Sequence, residues 1–126
     1  MLKKIQIVLI ILCFFSVPLS AQLKFGEADV LSLPSNQFYT APTPSLDGTY
    51  LALSSAKYQG VYIYNFNTRQ LQEVTDAQAA GWRMQWHPNE PLLAYRSSRN
   101  EGTLSREHRI EVYNVEQAQK QPVNDW

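Results

Sequence analysis

"PSLDGTYLALSS", Pro44 to Ser55, reads as a turn running into a strand, and "WHPNEPLLAYRS", Trp86 to Ser97, says nearly the same thing 42 residues later. In the first copy Asp47-Gly48 makes the turn, because glycine tolerates positive φ and aspartate bonds nearby backbone. In the second copy Pro88-Asn89-Glu90 takes that place. Leu51-Ala52-Leu53 then maps onto Leu93-Ala94-Tyr95, and further on Ile63-Tyr64-Asn65 maps onto Val112-Tyr113-Asn114 at an offset of 49.

Working outward, no stretch beyond residue 21 sustains a helical period. Short runs rich in Val, Ile, Tyr and Leu alternate with turn residues, which is the signature of strands. Glu27 to Leu33 is a candidate strand ended by Pro34-Ser35-Asn36. Phe38 to Ser45 is extended and holds Pro42 and Pro44. Proline lacks an N–H, so this strand belongs at an edge or is irregular. Strands follow near 50–54, 61–66 and 70–74, and the second copy predicts counterparts near 92–96, 110–115 and 119–123. Trp82 to His87 is expected to be extended, with Trp82 and Trp86 on one strand face. Their expected job is packing between repeats; a sugar or peptide platform is the lesser reading.

The expectation is an all-β chain of antiparallel four-stranded units, one over about 38–76 and another over about 80–125. A four-stranded sheet that is apolar on both faces, as "GVYIYNF" (Gly60 to Phe66) requires, must be stacked on neighbours. A period near 42 with four short strands per unit is that of propeller blades. The seven residues that lengthen the second unit fall within "SRNEGTLSREH", Ser98 to His108. They read as a solvated loop between the strands near 92–96 and 110–115. Arg99, Glu101, Arg106, Glu107 and His108 in it are the candidate contact residues for a protein partner.

The first 21 residues set a different expectation. Lys3 and Lys4 precede an apolar run, Ile5 to Val17, broken by Pro18 and followed by Ser20-Ala21. This is the order of a signal peptide, expected to be helical and cleaved before Gln22. The run is too short for a membrane span of ~20 residues, so no stable span is expected after cleavage. The remaining 105 residues carry 9 basic and 11 acidic side chains, a formal charge of −2. That speaks against nucleic acid or an anionic membrane as partner. The single cysteine, Cys13, lies in the apolar run, so it cannot be the lipidated residue that follows a lipoprotein signal cut, and the mature chain has no disulfides.

The residues of catalysis do not assemble. There is no Gly-x-Ser-x-Gly elbow and no cysteine after Cys13. Ser97 and Ser98 read as strand-end residues, His87 as a turn residue and His108 as exposed. Two isolated histidines give no metal spacing. "NFNT", Asn65 to Thr68, lacks the carboxylates and glycine of a calcium loop. No phosphate-cradling glycine loop is present. No catalytic residue, metal or cofactor is expected.

Pro42-Thr43-Pro44-Ser45-Leu46-Asp47-Gly48, Leu51-Ala52, Ile63-Tyr64 and Val74-Thr75-Asp76 together resemble the TolB-type, WD-like β-propeller repeat. Pro44 stands where that repeat has Trp, and Leu46 where it has Pro. The second unit keeps Trp86 and Pro88. The resemblance covers Val30 to Asp125, with "VLSLPSN" similar to the closing strand of an earlier blade. It implies an incomplete β-propeller serving protein–protein interaction in the cell envelope, periplasmic or secreted. The alternative it implies is the N-terminal propeller part of a secreted peptidase similar to the prolyl oligopeptidase family, its catalytic domain lying beyond Trp126. Propellers have ~4–8 blades. Two blades alone would leave two outer faces wet, so self-association through open blade faces and poor folding in isolation are further expectations.

Overall fold

The computed structural model describes residues 30–101 and 105–125. The expected signal peptide, 1–21, lies outside the described residues. Both sheets lie in the compact unit Ser32–Trp126. Among the described residues no helix is long and apolar enough to cross a membrane.

The chain forms two four-stranded antiparallel sheets, each a meander in sequence order. The first contains β1 (Tyr39–Pro44), β2 (Tyr50–Ser55), β3 (Val61–Asn65) and β4 (Gln70–Thr75). The second contains β5 (Gln85–Trp86), β6 (Leu92–Glu101), β7 (Ser105–Asn114) and β8 (Gln119–Pro122). A short 3-10 turn, Ala56–Tyr58, joins β2 to β3. The edge placement of the proline-bearing β1 follows the missing N–H: its register with β2 shifts between Thr40 and Thr43, around Pro42.

The repeat seen in the sequence is repeated in the hydrogen bonds. Ser45 N donates to Tyr50 O at 2.9 Å, and 42 residues on His87 N donates to Leu92 O at 2.8 Å. Phe66 N donates to Thr49 O and Val115 N to Pro91 O, each at 3.0 Å. Pro44 pairs with Leu51 as Trp86 pairs with Leu93. Leu51 pairs with Tyr64 as Leu93 pairs with Tyr113. The third hairpin turn is also shared. The Asn65 side chain accepts from Thr68 N and the Asn114 side chain from Gln117 N. Arg69 and Ala118 then both take positive φ, 56° and 51°.

Register assigns every side chain to one of two faces, because strand side chains alternate. In each sheet one face carries the alanine of β2 or β6 and the other carries the leucine before it. The alanine face of the first sheet holds Tyr50, Ala52, Ile63 and Gln72. The leucine face of the second holds Trp86, Leu93, Tyr95, Glu111 and Tyr113. These two faces form the core. Ala52, Val61 and Ile63 cluster with Leu93, Tyr95 and Tyr113, joined by Val74, Ala80 and Met84. Trp86 stacks on Tyr50 at 5.8 Å and its Nε1–H donates to Thr43 O at 2.8 Å. Gln72 Nε2 donates to the Tyr113 hydroxyl at 2.7 Å. Two equivalent sheets therefore pack by unlike faces, head to tail, rather than by the same face on each.

Four expectations need correction. Val30 to Leu33 carry no strand; residues 27–29 of that expected strand are outside the described residues. In the Trp82 to His87 segment only Gln85–Trp86 are paired, because the turn over 78–83 folds back to bring Ala80 and Met84 into the core. Trp82 is thus not on Trp86's strand: it is 42% exposed and packs edge-on against Tyr58 at 4.8 Å, while Trp86 does lie between the sheets. The outer faces also differ. On the leucine face of the first sheet Leu53, Tyr62 and Tyr64 are buried. Only the alanine face of the second sheet is open among the described residues.

Candidate functional site

The lengthening of the second unit is not a separate loop. β6 and β7 continue in unbroken register from Leu92 opposite Asn114 to Glu101 opposite Ser105. The extra residues extend a hairpin because their cross-strand pairs are good ones: Arg99 stands opposite Glu107, Asn100 opposite Arg106 and Ser98 opposite His108. The arm outruns its neighbours, since β5 and β8 reach only as far as Ala94 and Glu111. Its base is tied to the 78–83 turn by the Ser98 hydroxyl, which donates to Gln78 O. The arm and Asp76 to Gly81 thus share one end of the molecule.

The candidate contact residues divide between the two faces of the arm. On the leucine face Arg99 meets Glu107, its Nε donating at 2.9 Å and its terminal nitrogen at 2.7 Å. The side chain of Glu101 lies outside what the structure describes. On the alanine face lie Arg106, whose Nε donates to the Asn100 side chain at 3.3 Å, and the exposed His108. The four described residues therefore form no single cluster. Arg99 and Glu107 satisfy each other; Arg106 and His108 point their charge capacity elsewhere.

Arg96 and Ile110, which stand opposite each other on that same alanine face, escaped the sequence reading. The signal that finds them is strand parity, since both fall within the expected strands near 92–96 and 110–115 and alternation sets them on the face of Ala94 and Val112. Arg96 Nε is buried with no partner. Ile110 is 43% exposed. Beneath the arm, the face continues into half-buried Leu92, Ala94 and Val112. At the equivalent positions of the first sheet Ala52 and Ile63 are 0% and 2% exposed. The difference arises because a sheet covers the one and not the other. The register positions of this face, from Leu92 to Asn100 and Arg106 to Asn114, hold two arginines and a histidine and no carboxylate.

Behind the arm's base, a buried polar group stabilises the leucine face. Tyr95 Oη donates to Glu111 Oε2 at 2.6 Å, and Arg109 pairs with Glu111 Oε1, its Nε at 3.0 Å. Burial, and then the bond to Glu111, push the Tyr95 phenol above its usual range. The first sheet has Leu53 and Tyr62 at these positions. A charge taken out of water needs partners of this kind, and here each member finds one.

The opposite end of the sheets carries the paired turns. They line a cleft of about 460 Å³ that includes Ser45, Asp47 and Tyr50 from one repeat and His87, Asn89 and Glu90 from the other. The Asp47 carboxylate accepts from the Ser45 hydroxyl at 2.6 Å, the Thr49 hydroxyl at 2.6 Å and Thr49 N at 3.1 Å. Those bonds, the Ser45 hydroxyl first, hold its pKa down at about 2. His87 does a similar job in the second turn, its Nδ1 accepting from Asn89 N at 3.3 Å. These side chains are occupied in building turns. Among the described residues no group of three His, Cys, Asp or Glu side chains gathers as a metal site.

Compared with protein-family models, curated proteins and solved structures, the chain finds no match.

Proposed function

We propose that this chain is an exported, non-enzymatic β-propeller repeat module of the TolB type, serving protein–protein interaction in the cell envelope through the β6–β7 arm. The observation that carries this reading is the head-to-tail packing of two equivalent sheets. Packing by unlike faces is heterologous, so each added sheet leaves the same face open for the next, which is how blades follow one another around a ring. A sandwich closed on itself would have no such polarity. The N-terminal order of Lys3-Lys4, apolar run and Ser20-Ala21 supports export. The arm supports a contact role because it projects beyond its neighbouring strands and sets Arg106 and His108 exposed on a face with no carboxylate at its register positions.

Site-specific photo-cross-linking from position 108 in intact cells tests the reading. One discrete protein adduct is expected from position 108, and none from the same photo-cross-linker placed at position 116, in the turn at the opposite end of the sheet. The same adduct from position 116, or no adduct from position 108, would overturn it.

A further inference from the structure

We infer that the alanine face of the second sheet receives a β-sheet of another polypeptide, one that sets a Leu/Tyr surface on Leu92, Ala94 and Val112 and carboxylates over Arg96, Arg106 and His108. The inference rests on the repeat-module reading and adds the partner's chemistry to it.

The shape of the partner follows from the interface already present in the molecule. Ala52 and Ile63 on the first sheet are covered by a sheet face presenting Leu93, Tyr95 and Tyr113. Ala94 and Val112 are the same positions one repeat later, in the same register, and they are uncovered. A surface that fits the first alanine face fits the second, with sheets stacked about 10 Å apart. A helix would not reproduce that flat, period-two complementarity.

The charge of the partner follows from the segregation on the arm. The arm's other face is internally neutralised by Arg99 with Glu107 and by Arg109 with Glu111. On the alanine face Arg96, Arg106 and His108 have no carboxylate among their register neighbours, and the flanking strands add only Gln85, Gln119 and Gln121. A second copy using this same face would bring cation against cation, so the isologous dimer is disfavoured. Covering this face without a counter-charge would strand Arg106 and Arg96 in low dielectric. A partner with two or three carboxylates at the arm end and an apolar strip at the base meets both demands.

The experiment uses the full chain and two synthetic β-hairpins. Both present Leu and Tyr on one face; one carries three Glu at one end and its twin carries three Lys there. Saturable binding of the Glu hairpin is expected, with NMR shift changes at Ala94, Ile110 and Val112, and at least tenfold weaker binding of the Lys twin. Arg106→Glu/His108→Glu changes two exposed residues and should leave the thermal transition in place while inverting the preference between the hairpins. Ile110→Asp should weaken both. Equal binding of the two hairpins, an unchanged preference in the charge-reversed variant, shift changes on another face, or no binding would each overturn the inference. Binding to phosphatidylglycerol vesicles in place of the Glu hairpin would overturn it too and assign the face to a membrane. Failure here with the adduct of position 108 intact leaves the repeat-module reading standing; loss of both takes the reading with it.

Discussion

At the scale of single residues, Gly81 shows how closely the turn over 78–83 sits on the first sheet. A Cβ built on Gly81 would coincide with the Ser54 side chain, and Ser54 is itself 0% exposed with its hydroxyl donating to Gly60 O at 2.9 Å. The added Cβ would overlap that buried side chain, so Gly81→Ala is expected to destabilise by about 1–3 kcal/mol through overpacking. Ser54→Gly removes the atoms in the way. The double variant Gly81→Ala/Ser54→Gly should therefore be less destabilised than the two single changes added together, a coupling that urea melts of the four proteins will read. Additivity would mean that the turn shifts freely and the contact is not fixed. Asp47 makes a different kind of prediction. Its folded pKa of about 2 lies below the usual 3.8. The stabilisation it supplies is thus complete above pH 4 and is lost as pH falls from about 4 to about 2, where the unfolded chain binds the proton first. The difference in melting temperature between the parent and Asp47→Asn should shrink over that window. A difference that stays constant down to pH 2 would show that the Ser45 and Thr49 bonds do not persist in solution.

At the scale of elements, β6 and β7 differ from β2 and β3 by their extension into the arm and, within the shared part, by the exchange of Leu53 and Tyr62 for Tyr95 and Glu111. Tyr95→Phe leaves Glu111 with Arg109 alone in a site 6% exposed, and should cost about 1–3 kcal/mol. Glu111→Leu should cost more, because it leaves the buried tyrosine hydroxyl without its acceptor and takes the carboxylate from Arg109. Combining them removes the unpaired hydroxyl, so the double variant should lie above the sum of the singles by more than half a kcal/mol, within the ~0.5–3 kcal/mol known for contacting residues. No coupling would mean that water satisfies both groups. How much of these elements could be read beforehand depended on local chemistry. The Asp47-Gly48 turn, the Asn65 and Asn114 turns and the "VYIYNF" run announced their positions, and the two offsets of 42 and 49 gave the matching of the sheets. What escaped was set by contacts distant in sequence. Polar residues from Ser98 to His108 look like loop until opposite charges are seen to face each other across a hairpin. Trp82 looks like a strand partner of Trp86 until Ala80 and Met84 pull the backbone into a turn. Arg96 and Ile110 join Arg106 and His108 on one face only once strand parity runs through the insert.

At the scale of the whole molecule, the decisive feature is that equivalent surfaces have unequal fates. The expectation of two wet outer faces gives way to one, since Leu53, Tyr62 and Tyr64 are buried on the first sheet. The remaining open face is apolar at Leu92, Ala94 and Val112 and charged at Arg96 and Arg106, and a test of what covers it is available inside the molecule. Ala52 and Ala94 are the same residue at the same register position of the two sheets, paired with Ile63 and Val112. Ala52 is 0% exposed beneath the second sheet. Ala52→Leu forces three further carbon atoms into that interface and should cost about 1–3 kcal/mol. For a domain of this size that lowers the melting temperature by about 4–8 °C per kcal/mol. Ala94→Leu puts the same atoms onto an open face, where surface changes stay within about ±0.5 kcal/mol. The pair should therefore differ in melting temperature by at least about 5 °C at low protein concentration. Equal losses would show that Ala94 is also covered in solution. A loss at Ala94 that fades on dilution would identify a second copy as the cover. A concentration-independent loss would place a segment of the chain's own residues there, and the head-to-tail stack would then continue beyond the second sheet within a single molecule.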